Sequence, residues 1–104
     1  MLFRSIGAAL VLTGDKLGLY KALAAFGPLT SQQLAERTGT AERYVREWLA
    51  AQAAAGYVEY DPTTSTFSMT PEQTAVFADE ESPVYACGGF YSIASVMQIG
   101  RAHV

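Results

Sequence analysis

The chain has 104 residues, of which 50% are hydrophobic, and it carries a formal net charge of −3 at pH 7. This length fits one domain that buries roughly two thirds of the surface its unfolded chain exposes, and the hydrophobic share excludes a disordered polypeptide. The single cysteine, Cys87, excludes an internal disulfide framework and favours a reducing, cytoplasmic location. The apolar N-terminal stretch is too short to span a bilayer, so we expect no membrane partner.

Residues 1–26 form the first predicted unit, a helical segment with a break or restart at Gly14–Asp15. Its apolar residues recur at the threes and fours of one helical stripe. They are Leu10, Val11, Leu17, Tyr20, Leu23 and Ala24. The stretch from Ile6 to Leu12 carries no charge and would be a poor solvent-facing helix. This stretch therefore predicts contact with another surface, either of this domain or of a second subunit, and in the second case residues 1–26 would form a dimer seam.

Residues 27–70 form the predicted core, which begins with two short helices. Thr30 and Gln33 have the spacing of a capping box at the start of the first helix, which Gly39 ends. Thr40 is expected to cap the second helix, which runs to about Ala54 and stops at Gly56. One side of this second helix is expected to face the core, with Trp48 as the anchor of that core. That side comprises Val45, Trp48, Leu49 and Ala55.

After Gly56 the hydrophobic period changes from 3.6 to 2. Val58 and Tyr60 flank Glu59, an Asp-Pro-Thr-Thr-Ser stretch turns the chain, and Phe67 and Met69 flank Ser68. Two helices followed by a two-stranded ribbon define a winged helix-turn-helix. We therefore predict a mainly α fold with a small β-hairpin, flanked by N- and C-terminal helices.

Residues 71–97 are predicted to form C-terminal helices that lead toward a catalytic domain missing from the chain. Thr70–Pro71 starts a helix to about Ala78, and Asp79–Glu81 is expected to be a solvated acidic loop. Ser82–Pro83 starts a last helix through Met97, apolar nearly all round, which predicts a partner surface outside this chain.

Residues 98–104 match a reading-frame translation of a common sequencing-library adapter, so we exclude them from the fold. Without His103, neither a Ser-His-Asp nor a Cys-His arrangement can be assembled, and Cys87 has no second metal ligand in sequence. There is no phosphate-binding glycine motif. We therefore predict no catalytic, cofactor-binding or metal residues in this chain.

A winged helix also invites a DNA-binding hypothesis, for which Arg43 and Arg46 are the candidate contacts. The outer face of the second helix offers Glu42, Arg43, Arg46, Glu47 and Gln52. Glu42–Arg46 and Arg43–Glu47 are i,i+4 pairs, which would neutralise both arginines, and residues 61–65 at the wing tip include no Lys or Arg. Without Arg101, six of the seven basic residues remain against ten acidic ones, a net charge of −4. This balance disfavours nucleic acid as a partner.

A family resemblance rests on LGLYKALA, on LTSQQLAERTG and RYVREWL, and on the TPE and SPVY helix starts. Together they cover about residues 7–97 and resemble the N-terminal winged-helix domain of bacterial S-adenosylmethionine (SAM)-dependent methyltransferases. The resemblance implies a domain that dimerises and roofs a substrate pocket. In that family methyl transfer takes place in a following Rossmann-like domain, which this chain does not contain.

The resemblance therefore implies a non-catalytic dimerisation and substrate-lid domain, whose parent enzyme uses SAM to methylate a small molecule. Its expected partners are a second copy, the missing Rossmann-like domain and the substrate. Candidate lid residues are Tyr85, Phe90 and Tyr91, whose rings could wall an apolar substrate or only pack between domains. The alternatives are a winged-helix transcriptional regulator that binds DNA and a free-standing interaction module.

Overall fold

The computed structural model describes residues 2–85, and the side chains of residues 7–85. These residues form five helices and one antiparallel two-stranded sheet, which confirms the mainly α winged helix-turn-helix. The elements are α1 (Leu2–Lys16), α2 (Leu19–Phe26), α3 (Ser31–Thr38), α4 (Glu42–Ala54), β1 (Glu59–Asp61), β2 (Thr66–Ser68) and α5 (Pro71–Phe77).

The break between the first two helices lies later than predicted. Helix α1 continues through Gly14–Asp15 to Lys16, and the chain turns at Gly18, which has a left-handed φ of 75°. Gly14 serves a different purpose, because an added Cβ there would lie 2.3 Å from Cζ2 of Trp48. This glycine lets α1 approach the indole ring on α4.

The predicted stripe on the first two helices is confirmed at Val11, Tyr20 and Leu23, which are all buried. It is wrong at Leu17, which is 39% exposed, and at Ala24, which is also exposed. The turn at residues 17–18 interrupts the helical period, so one continuous stripe does not extend across both helices.

Helix α3 has the predicted start and end. Oγ1 of Thr30 accepts from the Gln33 N–H at 3.1 Å, and Oε1 of Gln33 accepts from the Thr30 N–H at 2.9 Å. Gly39 ends the helix with a left-handed φ of 66°. These contacts satisfy helix-end groups that would otherwise lack intrahelical partners.

The predicted cap of α4 is wrong by one residue. The N-cap is Ala41, which has no side-chain acceptor to offer, whereas Thr40 Oγ1 lies 2.8 Å from Thr38 Oγ1. The hydroxyl of Thr40 is thus engaged with the end of α3. At its other end α4 stops at Ala54 as predicted, followed by Gly56 with a φ of 81°.

The wing is an antiparallel hairpin in which Tyr60 is opposite Phe67. A single residue, Leu29, extends the sheet on the other edge of β2, which the sequence did not predict. Its N–H donates to the Phe67 carbonyl at 2.9 Å, and the Phe67 N–H donates to the Leu29 carbonyl at 2.7 Å. The start of α3 is thereby fixed to the wing.

Trp48 is confirmed as an anchor of the core, with an exposed fraction of 1%. Its indole N–H donates to the Leu10 carbonyl at 2.9 Å, and its ring meets Tyr20 edge to face with centroids 4.9 Å apart. Phe77, at the end of α5, stacks on the Tyr20 ring with the two centroids 5.0 Å apart. The core therefore joins α1, α2, α4 and α5.

The core face of α4 differs from the prediction at its C-terminal end. Val45, Trp48 and Leu49 are buried as expected, but Ala55 is the exposed C-cap residue. Gln52, which we predicted on the outer face, is 2% exposed and accepts a hydrogen bond from the Tyr20 hydroxyl. That hydrogen bond satisfies the buried oxygen of the Gln52 side chain, so a polar residue can lie on the apolar side of α4.

The C-terminal part begins as predicted, because Thr70 caps α5 by accepting from the Gln73 N–H at 3.1 Å. Beyond α5, residues 78–85 form turns and no helix. Residues 82–85, which are the described part of the last predicted helix, are therefore not helical. Residues 86–104, with Cys87, Phe90, Tyr91 and His103, lie outside the described residues.

Candidate functional site

Helix α4 and the wing enclose an open cleft of about 460 Å³. Ser31, at the start of α3, also lines the cleft, because the Leu29–Phe67 bridge holds this part of the chain against the wing. The two long walls are formed by three residues of α4 and three of the hairpin. They are Arg46, Ala50 and Ala53, facing Tyr60, Ser65 and Phe67.

The wing wall of this cleft is aromatic. The rings of Tyr60 and Phe67 lie 4.7 Å apart at their centroids with a tilt of 39°. Phe67 is buried, whereas Tyr60 is 47% exposed. The opposite wall is low because alanine side chains hardly project from α4, so the aromatic pair faces an open space.

The charged group in the cleft is Arg46, whose side chain is 62% exposed. Its Nη1 lies 3.9 Å from Oε1 of Glu42, which confirms the predicted i,i+4 pair at a distance longer than a hydrogen bond. The other carboxylate oxygen of Glu42 accepts from the Ser31 hydroxyl at 2.6 Å. This contact holds Glu42 at the start of α3, outside the residues that line the cleft.

The second predicted pair, Arg43–Glu47, is not among the ion pairs of the described residues. Both residues are exposed on α4. An exposed ion pair is hardly more favourable than two hydrated side chains, and it costs side-chain entropy, which explains why these two residues do not pair. Arg43 and Arg46 therefore differ in setting, since only Arg46 lines the cleft.

The winged face as a whole is not basic. Its exposed strand β1 adds two acidic residues, Glu59 and Asp61, to those of α4. Asp61 also organises the turn, because its Oδ1 accepts from the Thr63 N–H at 2.9 Å. A surface that binds phosphates needs an excess of Lys or Arg, which residues 42–68 do not offer.

A second polar cluster joins the segment after α5 to the first two helices. The Tyr85 hydroxyl donates to Oδ1 of Asp15 at 2.7 Å, and Lys21 forms an ion pair with Glu80. Tyr85, the one lid candidate among the described residues, is thus half-buried and hydrogen-bonded to α1. The acidic loop is exposed as predicted, but Glu80 is tied to α2.

Within residues 2–85, no group of three or more His, Cys, Asp or Glu side chains is placed to hold a metal ion. The helices in the same part of the chain are also too short or too polar to cross a membrane. Two surface features of this part of the chain bring polar side chains together, the α4–wing cleft and the cluster around Tyr85.

Helices α3 and α4, followed by the β1–β2 hairpin, define a winged helix-turn-helix domain. The chain belongs to the family of Rv2258c-like winged HTH domains, whose model matches residues 5–79. No curated protein matches the sequence.

Solved structures share the fold. PigF, in a structure with SAH, superimposes with a TM-score of 0.75 at 16% identity, over 89% of this chain and 30% of PigF. A pericyclic reaction enzyme gives 0.65 at 19% identity, over 73% of this chain and 20% of the enzyme. A Nostoc punctiforme PCC 73102 protein assigned to the O-methyltransferases gives 0.63 at 23% identity, over 83% of this chain and 26% of that protein. The chain thus spans less than a third of each.

Proposed function

We propose that this chain is the N-terminal dimerisation and substrate-lid domain of a SAM-dependent methyltransferase and is itself non-catalytic. The observation that carries the proposal is the extent of the structural match. Most of this chain superimposes on less than a third of PigF, which was solved with SAH, and on a similar share of an assigned O-methyltransferase. A domain of this kind would be one part of a larger enzyme.

The electrostatics of the winged face support the same proposal. Residues 42–68 carry two arginines against four acidic residues, and β1 contributes Glu59 and Asp61 without a basic residue. Such a face suits contact with polypeptide or a small molecule better than contact with a phosphate backbone. A DNA-binding regulator is therefore the less favoured function.

The parent enzyme would bind SAM in a Rossmann-like domain that follows this chain, and would methylate an oxygen, nitrogen or carbon of a small molecule in the cytoplasm. In that enzyme, Tyr85, Phe90 and Tyr91 are the candidate contacts over the substrate. The dimer would form through α1, where Ala9 is exposed and Leu12 only half-buried.

The direct test is to recover the coding sequence beyond residue 97 and to titrate SAH into the extended protein and into the 104-residue chain by calorimetry. We expect SAH to bind the extended protein and not the shorter chain. The proposal fails if the downstream sequence lacks a strand, glycine-rich loop and helix unit, or if the shorter chain binds SAH alone.

The dimer seam has its own test, sedimentation of the chain with Ala9→Glu. A charge at this exposed position should favour the monomer, whereas Ala54→Glu, at an exposed position on α4 outside the predicted seam, should leave the dimer intact. A wild-type chain that sediments as a monomer at high micromolar concentration would argue against the seam.

Nucleic-acid binding can be tested by gel shift with duplex DNA at low salt. We expect no salt-sensitive complex, and no difference between the wild type and the Arg43→Ala, Arg46→Ala double variant. Salt-sensitive binding that this double variant abolishes would instead support the regulator.

A further inference from the structure

The cleft lies beside the core-facing side of α4, because Ala53 of its lining packs against the core and Phe67 belongs to the core. The core side carries Val45, Trp48 and Gln52, whereas Arg46 and Ala50 belong to the cleft wall. Successive helical residues are about 100° apart, so these two sets project in different directions. The cleft is therefore distinct from α1, where the dimer is proposed, and from the contact of Tyr85 with Asp15 on that helix.

The volume of this open cleft is sufficient for a small molecule. At about 460 Å³ it lies within the typical range of ligand pockets, roughly 300–1,000 Å³. Ala50 and Ala53 leave space against the Tyr60–Phe67 ring pair, which offers a surface for a flat apolar group. A planar ring system would fill this space better than a flexible chain, because fewer rotatable bonds are lost on binding.

The charged and polar residues of the cleft indicate which functional group the ligand carries beside its apolar ring. Among the residues that line it, Arg46 alone is charged, and the remaining polar groups are the hydroxyls of Ser31, Tyr60 and Ser65. All of these groups can donate hydrogen bonds. Glu42 approaches Arg46 only to 3.9 Å, so the planar guanidinium keeps N–H groups for a bidentate acceptor.

We propose that the α4–wing cleft binds an aromatic carboxylic acid, with its carboxylate on Arg46 and its ring between Ala50–Ala53 and the Tyr60–Phe67 pair. The carboxylate matches the single positive charge of the lining and its donors. The ring matches the aromatic wall and the low alanine wall. This site goes beyond the proposed function, because it needs neither SAM nor the domain that would follow.

The test is a titration of the 15N-labelled 104-residue chain with 2-naphthoate, followed by amide chemical shifts. We expect saturable shifts centred on residues 46–53 and 60–67. Neutral 2-naphthamide, which has nearly the same shape, should bind about three- to fivefold more weakly. Arg46→Met should weaken naphthoate binding by about three- to fivefold, the upper range for an ion pair on a side chain that is 62% exposed.

Two matched variants make the test specific. Arg43→Met removes the same charge from the same helix outside the cleft and should leave the affinity within about twofold of the wild type. Ala50→Phe should fold, because residue 50 is exposed, and should block binding by filling the cleft.

Three results would overturn the proposal: equal affinity for naphthoate and naphthamide, equal losses in Arg43→Met and Arg46→Met, or shifts confined to α1 and α2. None of these results depends on SAH binding by the extended protein. A failure of the methyltransferase proposal and a failure of this one are therefore distinguishable.

Discussion

Replacing Gly14 by alanine tests whether α1 is packed against α4 as closely as the structure shows. Gly14 lies inside α1, and a Cβ there would meet Cζ2 of Trp48 at 2.3 Å, Cε2 of the same ring at 2.9 Å and Cε2 of Tyr20 at 3.0 Å. The ring cannot easily move aside, because its N–H donates to the Leu10 carbonyl and its edge meets Tyr20.

Two effects of opposite sign decide the outcome. Alanine in a helix interior is more favourable than glycine by about 0.8–1 kcal/mol. Overpacking of a filled core typically costs about 1–3 kcal/mol, and a contact this short belongs at the upper end. We therefore expect Gly14→Ala to lower the free energy of unfolding by about 1–2 kcal/mol, which lowers the Tm by roughly 5–15 °C in a domain of this size.

The assay is urea and thermal unfolding by circular dichroism, with Gly7→Ala as the matched control. Gly7 lies in the same helix, but an added Cβ there would have no heavy atom within 4 Å. It should gain up to about 1 kcal/mol of stability from helix propensity alone. The two substitutions are thus expected to have opposite signs. A Gly14→Ala variant as stable as the wild type would refute the close packing of α1 on Trp48.

Further predictions concern the buried pair, the helix caps and the core. Tyr20→Phe removes a donor to buried Gln52 and should cost about 1–3 kcal/mol in urea denaturation. Adding Gln52→Met should recover part of that loss, and strictly additive losses would contradict the hydrogen bond. Thr30→Ala and Thr70→Ala should each cost about 1 kcal/mol, whereas serine should be nearly neutral at both positions; equal losses for serine and alanine would contradict the capping boxes. Trp48→Ala should lower the free energy of unfolding by about 3–5 kcal/mol, and a near-normal melting temperature would contradict its place in the core.

The features that sequence predicts here are those with a local cause. Thr30 and Thr70 cap their helices because a side-chain acceptor lies three residues before the N–H it satisfies. Gly39 and Gly56 adopt left-handed backbone after helices, where other residues are strained. Each of these causes is contained within a few residues of the chain.

The features that sequence missed depend on contacts between distant segments. Gly14 resembles a helix breaker until Trp48, which comes 34 residues later, is placed against it. Gln52 resembles a surface residue until the Tyr20 hydroxyl is found to donate to its side-chain oxygen in the core. No local rule distinguishes these residues from their exposed counterparts, because the deciding group belongs to another helix.

The sequence predicts single residues of the candidate site but not how they are arranged. Arg43 and Arg46 were both expected on the outer face of α4, but their spacing could not show that only Arg46 lines a cleft. That distinction depends on the position of the wing, which the Leu29–Phe67 bridge fixes. A β-bridge of one residue produces no alternating hydrophobic pattern, so the sequence does not predict it.

The composition of α4 links the two proposals. A recognition helix must reach base edges with long polar side chains, and alanine can contact only a thymine methyl group. Ala50 is exposed and Ala53 packs against the core, so neither reaches far toward a duplex, and the same short side chains leave the space in front of Tyr60 and Phe67. One feature of the helix thus disfavours a duplex and opens a cleft of small-molecule size. Larger side chains in place of these alanines would fill the cleft. We therefore expect such substitutions to abolish the binding of a small ligand and to leave DNA binding unchanged.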